Sequence, residues 1–334
     1  MLAFLIREVP IPNPADDEIL VRIRYSGICH SDLHGYLGDF SMFTVFPLIG
    51  GHEGAGEVVA VGKSVNGWSI GDKAGIKLQV RTCLACEFCK QSHEPSCAFA
   101  KNFGFDTPGT FQEYISVRAL DAAKIPENVD LAEVAPILCA GVTIYRAIRE
   151  TNVRAGQILA ISGAGGGLGS LGIQYARAMG FKVLAIDHPS KEEHCRKSHW
   201  IDFESISILK DLFLNSTLLI TNGGPHGVVN VAVAKKPMED AIYYTRKRGT
   251  IVFVGLPKEC KPELDSFAIV FNCLTIKGTL VGNRKEVDDA IEFLANGSVK
   301  VPVEKVRLED VASIYDKMLK GTIVGRAVVD FSQH

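Results

Sequence analysis

Four cysteines stand within fifteen residues, Cys83-Leu-Ala-Cys86-Glu-Phe-Cys89 and then Cys97, a C-x2-C-x2-C-x7-C series. Thiolates spaced in this way can surround a tetrahedral ion at about 2.3 Å from a short loop that has no core of its own. Four sulfur ligands leave no open coordination position, so the chemistry suggested here is structural, with zinc as the first candidate. Iron–sulfur clusters use similar spacing, and cysteine alone does not choose the metal. Left unliganded, four thiols this close would be an oxidation hazard. A nucleic-acid zinc ribbon would carry a basic stripe, which the intervening Glu87, Lys90, Gln91 and Glu94 do not form.

Two further polar clusters interrupt apolar, glycine-punctuated sequence: Gly27-Ile-Cys-His-Ser-Asp-Leu-His34 and Gly50-Gly-His-Glu-Gly-Ala-Gly56. A single Cys or His in such a setting is usually a packed core residue; two dense clusters favour ligation. Catalytic zinc takes three protein ligands and keeps one position open, and Cys2His is a known set. Cys29, His52 and the isolated Cys139 could supply it, although spacing alone does not single out Cys139.

A third site is a glycine loop. Ile158-Leu-Ala-Ile-Ser runs into Gly163-Ala-Gly-Gly-Gly-Leu-Gly169, after which Leu168, Leu171, Gly172, Tyr175, Ala176 and Met179 recur on one helical face and Gly180 ends the helix. A second strand ends in Asp187, eighteen residues after Gly169. Such a turn lets backbone approach a pyrophosphate at a helix N-terminus, and the acid falls where one hydrogen-bonds an adenosine ribose. Its charge would repel a 2′-phosphate, which favours NAD over NADP. The spacing of Gly163, Gly166 and Gly169 is G-x-x-G-x-x-G, not the strict G-x-G-x-x-G, so a tight structural turn is the competing reading.

The elements that must position these groups change style near residue 143. Residues 14 to 75 read as short β segments bounded by glycine, a strongly bent sheet or barrel. Beyond, strand-like runs at Ile158–Ser162, Phe181–Asp187, Gly227–Val233, Thr250–Gly255 and Leu274–Gly282 alternate with helical stretches, which argues for a parallel sheet wrapped by helices. Amphipathic helices over Glu286–Ala295 and Leu308–Lys320 and a strand from Gly325 to Phe331 close the chain.

With 334 residues the chain has room for about two domains. Its 36 basic and 38 acidic side chains give a formal charge of −2, so a dedicated binder of nucleic acid or anionic lipid is disfavoured. Nine cysteines, an odd number, argue against a disulfide framework. The apolar run after Met1 is five residues long, too short for a signal-peptide core or a membrane span, so the expectation is a soluble cytoplasmic protein.

Taken together, the two Cys/His segments, the four-cysteine loop, Ala135-Pro-Ile-Leu-Cys-Ala-Gly, the glycine loop and Gly325-Arg resemble, in the same order and over nearly the whole chain, the zinc-dependent alcohol dehydrogenases of the medium-chain dehydrogenase/reductase superfamily, yeast type. The resemblance implies an α/β protein: a GroES-like bent β-barrel catalytic domain over residues 1–142 with a zinc lobe near 81–100, a Rossmann doubly wound parallel-sheet coenzyme domain over 143–281, and a C-terminal return to the catalytic domain over 282–334. It implies two zinc ions per chain and NAD. Cys29, His52 and Cys139 would ligate catalytic zinc, with Glu53 able to approach it; Cys83, Cys86, Cys89 and Cys97 would hold structural zinc. Asp32 would orient His52, Ser31 would receive the substrate proton and His34 would relay it. His30 and Arg326 would stand beside the cofactor pyrophosphate bound by Gly163, Gly165, Gly166, Gly167, Leu168 and Gly169, with Asp187 on the ribose. Phe40 and Leu78 would wall the substrate pocket where the yeast type commonly has tryptophan, leaving room for alcohols bulkier than ethanol. The partners implied are an alcohol and its aldehyde or ketone, in a homotetramer or homodimer.

Some features depart from the pattern. The family usually has another strand and turn before the segment that begins here at Met1, and the stretch between Asp187 and Ile201 is shorter than usual and carries His188-Pro and His194-Cys-Arg-Lys-Ser-His-Trp. Two other readings are therefore weighed: a zinc-free quinone or enoyl reductase of the same superfamily, which has no need for Cys29, His52 and Cys139, and a catalytically silent dinucleotide-binding protein.

Overall fold

The computed structural model describes residues 4–40, 44–191, 195, 206–207, 213–323 and 325–332. Its contacts divide the chain into two units, Met1–Val142 with Gly282–His334, and Thr143–Val281.

The first unit is built on β1 (Glu18–Ile28), β2 (Gly54–Val61), β3 (Lys73–Ile76), β4 (Gln79–Arg81), β5 (Lys101–Asn102), β6 (Tyr114–Arg118) and β7 (Ala123–Lys124), joined by β14 (Val303–Val306) and β15 (Arg326–Asp330) from the C-terminal stretch. Seven of these form one sheet in the order β14-β15-β1-β2-β3-β7, with β6 also on β1; β4 and β5 pair separately. Alternation explains β1: Ile19, Val21 and Ile23 are buried, whereas Arg22 and Arg24 are only half-buried. Register shifts against β2 at Leu20/Val21 and Ile23/Tyr25 bend the strand, and its far end then pairs with β15 while its near end pairs with β6. The core enclosed includes Ile19, Val21, Ile23, Val58, Ile76 and Val329, closed by Val311, Ile314 and Met318 of the helix Val311–Leu319.

The second unit is a six-stranded sheet of β8 (Ile158–Ser162), β9 (Lys182–Asp187), β10 (Ile206–Ser207), β11 (Gly227–Asn230), β12 (Thr250–Phe253) and β13 (Thr275–Gly278), all parallel, in the order β10-β9-β8-β11-β12-β13. Continuous apolar runs such as the fully buried Leu159-Ala-Ile161 suit strands covered on both faces, and the helices Gly167–Ala178 and Lys235–Tyr244 are among the crossovers that cover them.

Differences from the sequence reading lie at the ends of elements. The run Gly227–Val233 stops pairing at Asn230, and Val233 is exposed. The helix foreseen from Leu308 begins as a 3-10 turn and becomes α-helical at Val311. Strand β14 carried no signal, because its Glu304 and Lys305 face solvent and it alternates nothing. The altered segment beyond Asp187 begins with a short turn, Pro189–Lys191; His194 and the residues from 196 to 201 lie outside the described residues.

Candidate functional site

Strand register assembles the first cluster. Ser26 of β1 faces Gly54 of β2, and the Gly27 N–H donates to the Glu53 carbonyl at 2.9 Å. The chain just beyond β1, with Cys29, is thereby brought opposite the chain just before β2, with His52 and Glu53. On the other side Ile28 faces Ala327 of β15, which places Arg326 next to the same spot. Cys139 arrives on the 3-10 turn Ala135–Leu138, which packs on β1, β2, β3 and β15. Leu138 fills the space above Gly75, where a Cβ would come within 2.6 Å of its methyl.

One sulfur each from Cys29 and Cys139, an imidazole nitrogen of His52 and an oxygen of Glu53 all lie within 4.8 Å of one another, and all four residues are buried. Asp32 fixes the arrangement: its Oδ2 accepts from Cys29 N at 2.9 Å, and its Oδ1 accepts from Gly51 N at 3.2 Å and lies 2.8 Å from His52 Nδ1. With Nδ1 engaged, His52 turns Nε2 inward, 3.2 Å from Cys139 Sγ. Tetrahedral zinc with ligands at 2.0–2.3 Å separates its donors by roughly 3.5 Å, so this set of two sulfurs and one nitrogen fits the ion, with a carboxylate in reach of the remaining position.

Buried together, these groups shift one another's proton affinities. Cys29 is pulled well down, first by the hydrogen bond from Cys139 and further by His52 and Arg326, against the effect of burial; Cys139, the donor of that bond, is pushed up. Burial works against a charged His52, but the Asp32 carboxylate outweighs it and raises the group. Burial also pushes Glu53 up to about 8 against the pull of Arg326. Arg326 lies on Glu53, with Nη2 2.6 and 2.5 Å from the two carboxylate oxygens. A fully buried carboxylate needs such a counter-charge.

Ser31 and His34 belong to the helix His30–Leu37, which starts at Cys29; Ser31 and His34 are half-buried and His30 is exposed. The ring of Phe40 lies 5.2 Å from that of His34 and 6.4 Å from Phe105, which in turn lies 5.8 Å from His52. Phe40 thus reaches the cluster through Phe105, whose ring packs on His52 and which no sequence signal marked. Leu78 is half-buried in the link from β3 to β4, its carbonyl accepting from Phe103 N.

The four-cysteine loop also closes on itself, with Cys83, Cys86, Cys89 and Cys97 sulfurs within 4.8 Å of one another. A one-turn helix, Glu87–Lys90, starts at Cys86 and carries Cys89; a 3-10 turn, Glu94–Ser96, delivers Cys97. Backbone N–H groups of Ala85 and Cys86 pull Cys83 down to about 6, whereas burial pushes Cys89 up to about 12. Anchors tie this lobe to the rest of its unit: the buried Glu94 accepts from Arg284 Nε at 2.8 Å, and Asn283 Nδ2 donates to the Ser92 carbonyl at 2.9 Å.

In the second unit, β8 leads through Gly163, Gly165 and Gly166 into the helix Gly167–Ala178, which begins with Gly167, Leu168 and Gly169. A Cβ on Gly169 would come 2.2 Å from the Gly163 carbonyl, so helix and strand approach as closely as they do only without one. Asp187 stands at the end of β9, where its Oδ2 accepts from Gly165 N and its Oδ1 from His188 N, each at 2.7 Å. The aliphatic stem of Lys191, a residue in the irregular flank that no sequence pattern marked, lies against Gly165, where a Cβ would come 2.8 Å from its own Cβ.

Comparison with known proteins places these sites in a lineage. The model for the alcohol dehydrogenase GroES-like domain matches residues 15–127, and that for the zinc-binding dehydrogenase matches residues 167–296. Alcohol dehydrogenase 1 of Caenorhabditis elegans is 59% identical over 331 residues, 98% of this chain and 93% of that protein; alcohol dehydrogenase 2 of the same organism is 54% identical over the same shares. A cinnamyl alcohol dehydrogenase from Sorghum bicolor has a structure similar to this one, with a TM-score of 0.87 at 25% identity, over 96% of this chain and 92% of that one.

Proposed function

The chain belongs to the zinc-dependent alcohol dehydrogenases of the medium-chain dehydrogenase/reductase superfamily, and on that premise we propose that it interconverts primary or secondary alcohols with aldehydes or ketones, using NAD and two zinc ions per chain. The observation that carries the proposal is the buried convergence of Cys29, His52, Cys139 and Glu53 within 4.8 Å. In it Cys29, His52 and Cys139 hold the catalytic ion, Glu53 can approach it, and Cys83, Cys86, Cys89 and Cys97 hold the structural one. When bound, zinc would supply Lewis acidity and NAD the hydride-accepting chemistry.

The chain's own residues do the rest. Asp32 holds His52 in the tautomer that presents Nε2. The Ser31 hydroxyl would take the alcohol proton, and His34 would hand it to solvent. Phe40 and Phe105 exclude water beside the reacting carbon, and Phe40 and Leu78 leave space for substrates larger than ethanol. The glycine loop binds the pyrophosphate through backbone N–H groups, and Asp187 takes the ribose hydroxyls and disfavours a 2′-phosphate. That none of the nine cysteines is in a disulfide suits a reducing compartment, here the cytoplasm. The exposed Phe267, Val270 and Phe271, on the helix Ser266–Phe271 that precedes the edge strand β13, support a homodimer or homotetramer.

The experiment is a panel of primary, secondary, allylic and aromatic alcohols with NAD and with NADP, followed by the absorbance of the reduced cofactor. Turnover with NAD, at least tenfold better than with NADP, is expected. Tight NADH binding without turnover of any alcohol or aldehyde would favour the silent reading instead.

A further inference from the structure

We propose that Asp39 positions His34 for proton transfer; the inference rests on the reading above in which His34 ends the relay. The placement begins at the end of the helix His30–Leu37. Gly38 adopts φ +76°, its N–H donates to the Gly35 carbonyl, and the next N–H, that of Asp39, donates to the His34 carbonyl at 3.0 Å. This left-handed stop folds the chain back on the last turn of the helix. Asp39 thereby returns beside a residue five positions earlier, with Oδ2 2.9 Å from His34 Nδ1. The Asp39 side chain is 6% exposed and that of His34 21%, so the pair is largely screened from water by the protein, with Phe40 tilted against the imidazole.

A carboxylate only accepts, so the Nδ1 proton of neutral His34 points to Asp39 and the lone pair is left on Nε2. In alcohol oxidation the carbinol hydride with its electron pair would go to the oxidised nicotinamide cofactor of the proposed function, the O–H proton would enter the relay at Ser31, and His34 Nε2 would take one proton. The imidazolium so formed faces the Asp39 carboxylate until Nε2 returns the proton to water; reduction runs the same transfers backwards. Other charges near His34 are otherwise committed. On the same helix, Asp32 is bonded to Cys29, Gly51 and His52, and His30 is exposed one turn earlier. The helix Val311–Leu319 meets this one through Tyr315 on Tyr36, while its Lys317 pairs with Glu304 and its Asp316 is exposed.

The test compares zinc-loaded wild type, Asp39→Asn, His34→Gln and the double variant. In Asp39→Asn the imidazolium loses its partner, so the pH profile of alcohol oxidation should differ from that of the wild type. The kcat should fall roughly tenfold with the alcohol KM nearly constant, and the 15N spectrum of His34 should lose its preference for the Nδ1–H tautomer. Adding Asp39→Asn to His34→Gln should cost nothing further. If Asp39→Asn keeps the wild-type pH profile and tautomer while His34→Gln changes the profile, the inference is overturned and the relay stands. If His34→Gln leaves the profile unchanged, the relay reading itself falls, and the inference with it. Thermal unfolding of each variant separates these outcomes from a failure to fold.

Discussion

At the scale of single residues, the buried cluster of Cys29, His52, Glu53 and Cys139 depends on a position with no side chain at all. A Cβ on Gly27 would lie 1.9 Å from Glu53 Oε2 and 3.0 Å from Glu53 Cβ, and Glu53 is pinned from the other side by Arg326. Glu53, and with it His52, would have to move. Misplacement of a reacting group by about 1 Å costs on the order of 100-fold in rate. Gly27→Ala should therefore lose at least that much alcohol turnover and most of the catalytic ion while keeping the lobe's metal, as read by metal analysis beside initial rates. Unchanged kinetics would mean that Glu53 has room that the structure denies it. Cys29 and His52 were legible because each stands in a dense polar cluster. Cys139 stands alone between apolar residues, and only likeness to a known family marked it. Asp39 and Phe105 were not legible, because what places them is a helix stop and a folded-over loop, not a pattern of residue types.

At the scale of elements, the four-cysteine lobe gathers its thiols in one short stretch and so sets its own proton balance. Its thiols must lose their protons to ligate, so metal binding competes with protons and weakens as pH falls, by about tenfold per pH unit for each proton displaced. Cys89, pushed up to about 12, gives up a proton on binding throughout the neutral range, whereas Cys83, near 6, is largely deprotonated there and begins to compete only below that pH. Chelator competition between pH 5 and pH 8 should thus give a slope that steepens below about 6; a flat dependence would contradict the assigned thiol states. Regular elements were the most legible part of the chain. Apolar runs at β8, β9 and β12 and the face from Leu168 to Met179 follow directly from burial in a parallel sheet. Strand β14 escaped because it lies at an edge with its charged residues outward, where packing imposes no period.

At the scale of the molecule, the chain divides into a unit that carries both cysteine clusters and one that carries the glycine loop. The open edge at β13 and the stacked, exposed rings of Phe267 and Phe271 lead to the expectation that light scattering at micromolar concentration reports a dimer or tetramer, reduced in mass by Phe271→Asp. A wild-type chain that stays monomeric at all concentrations would remove that expectation. The central claim concerns the three side chains gathered from residues 29, 52 and 139, and it is tested most directly by counting metal in Cys29→Ala. The wild type should hold two zinc ions per chain; the variant should hold one, bind NADH much as before, and turn over no alcohol. A Cys29→Ala protein with two zinc ions and full activity would contradict the account.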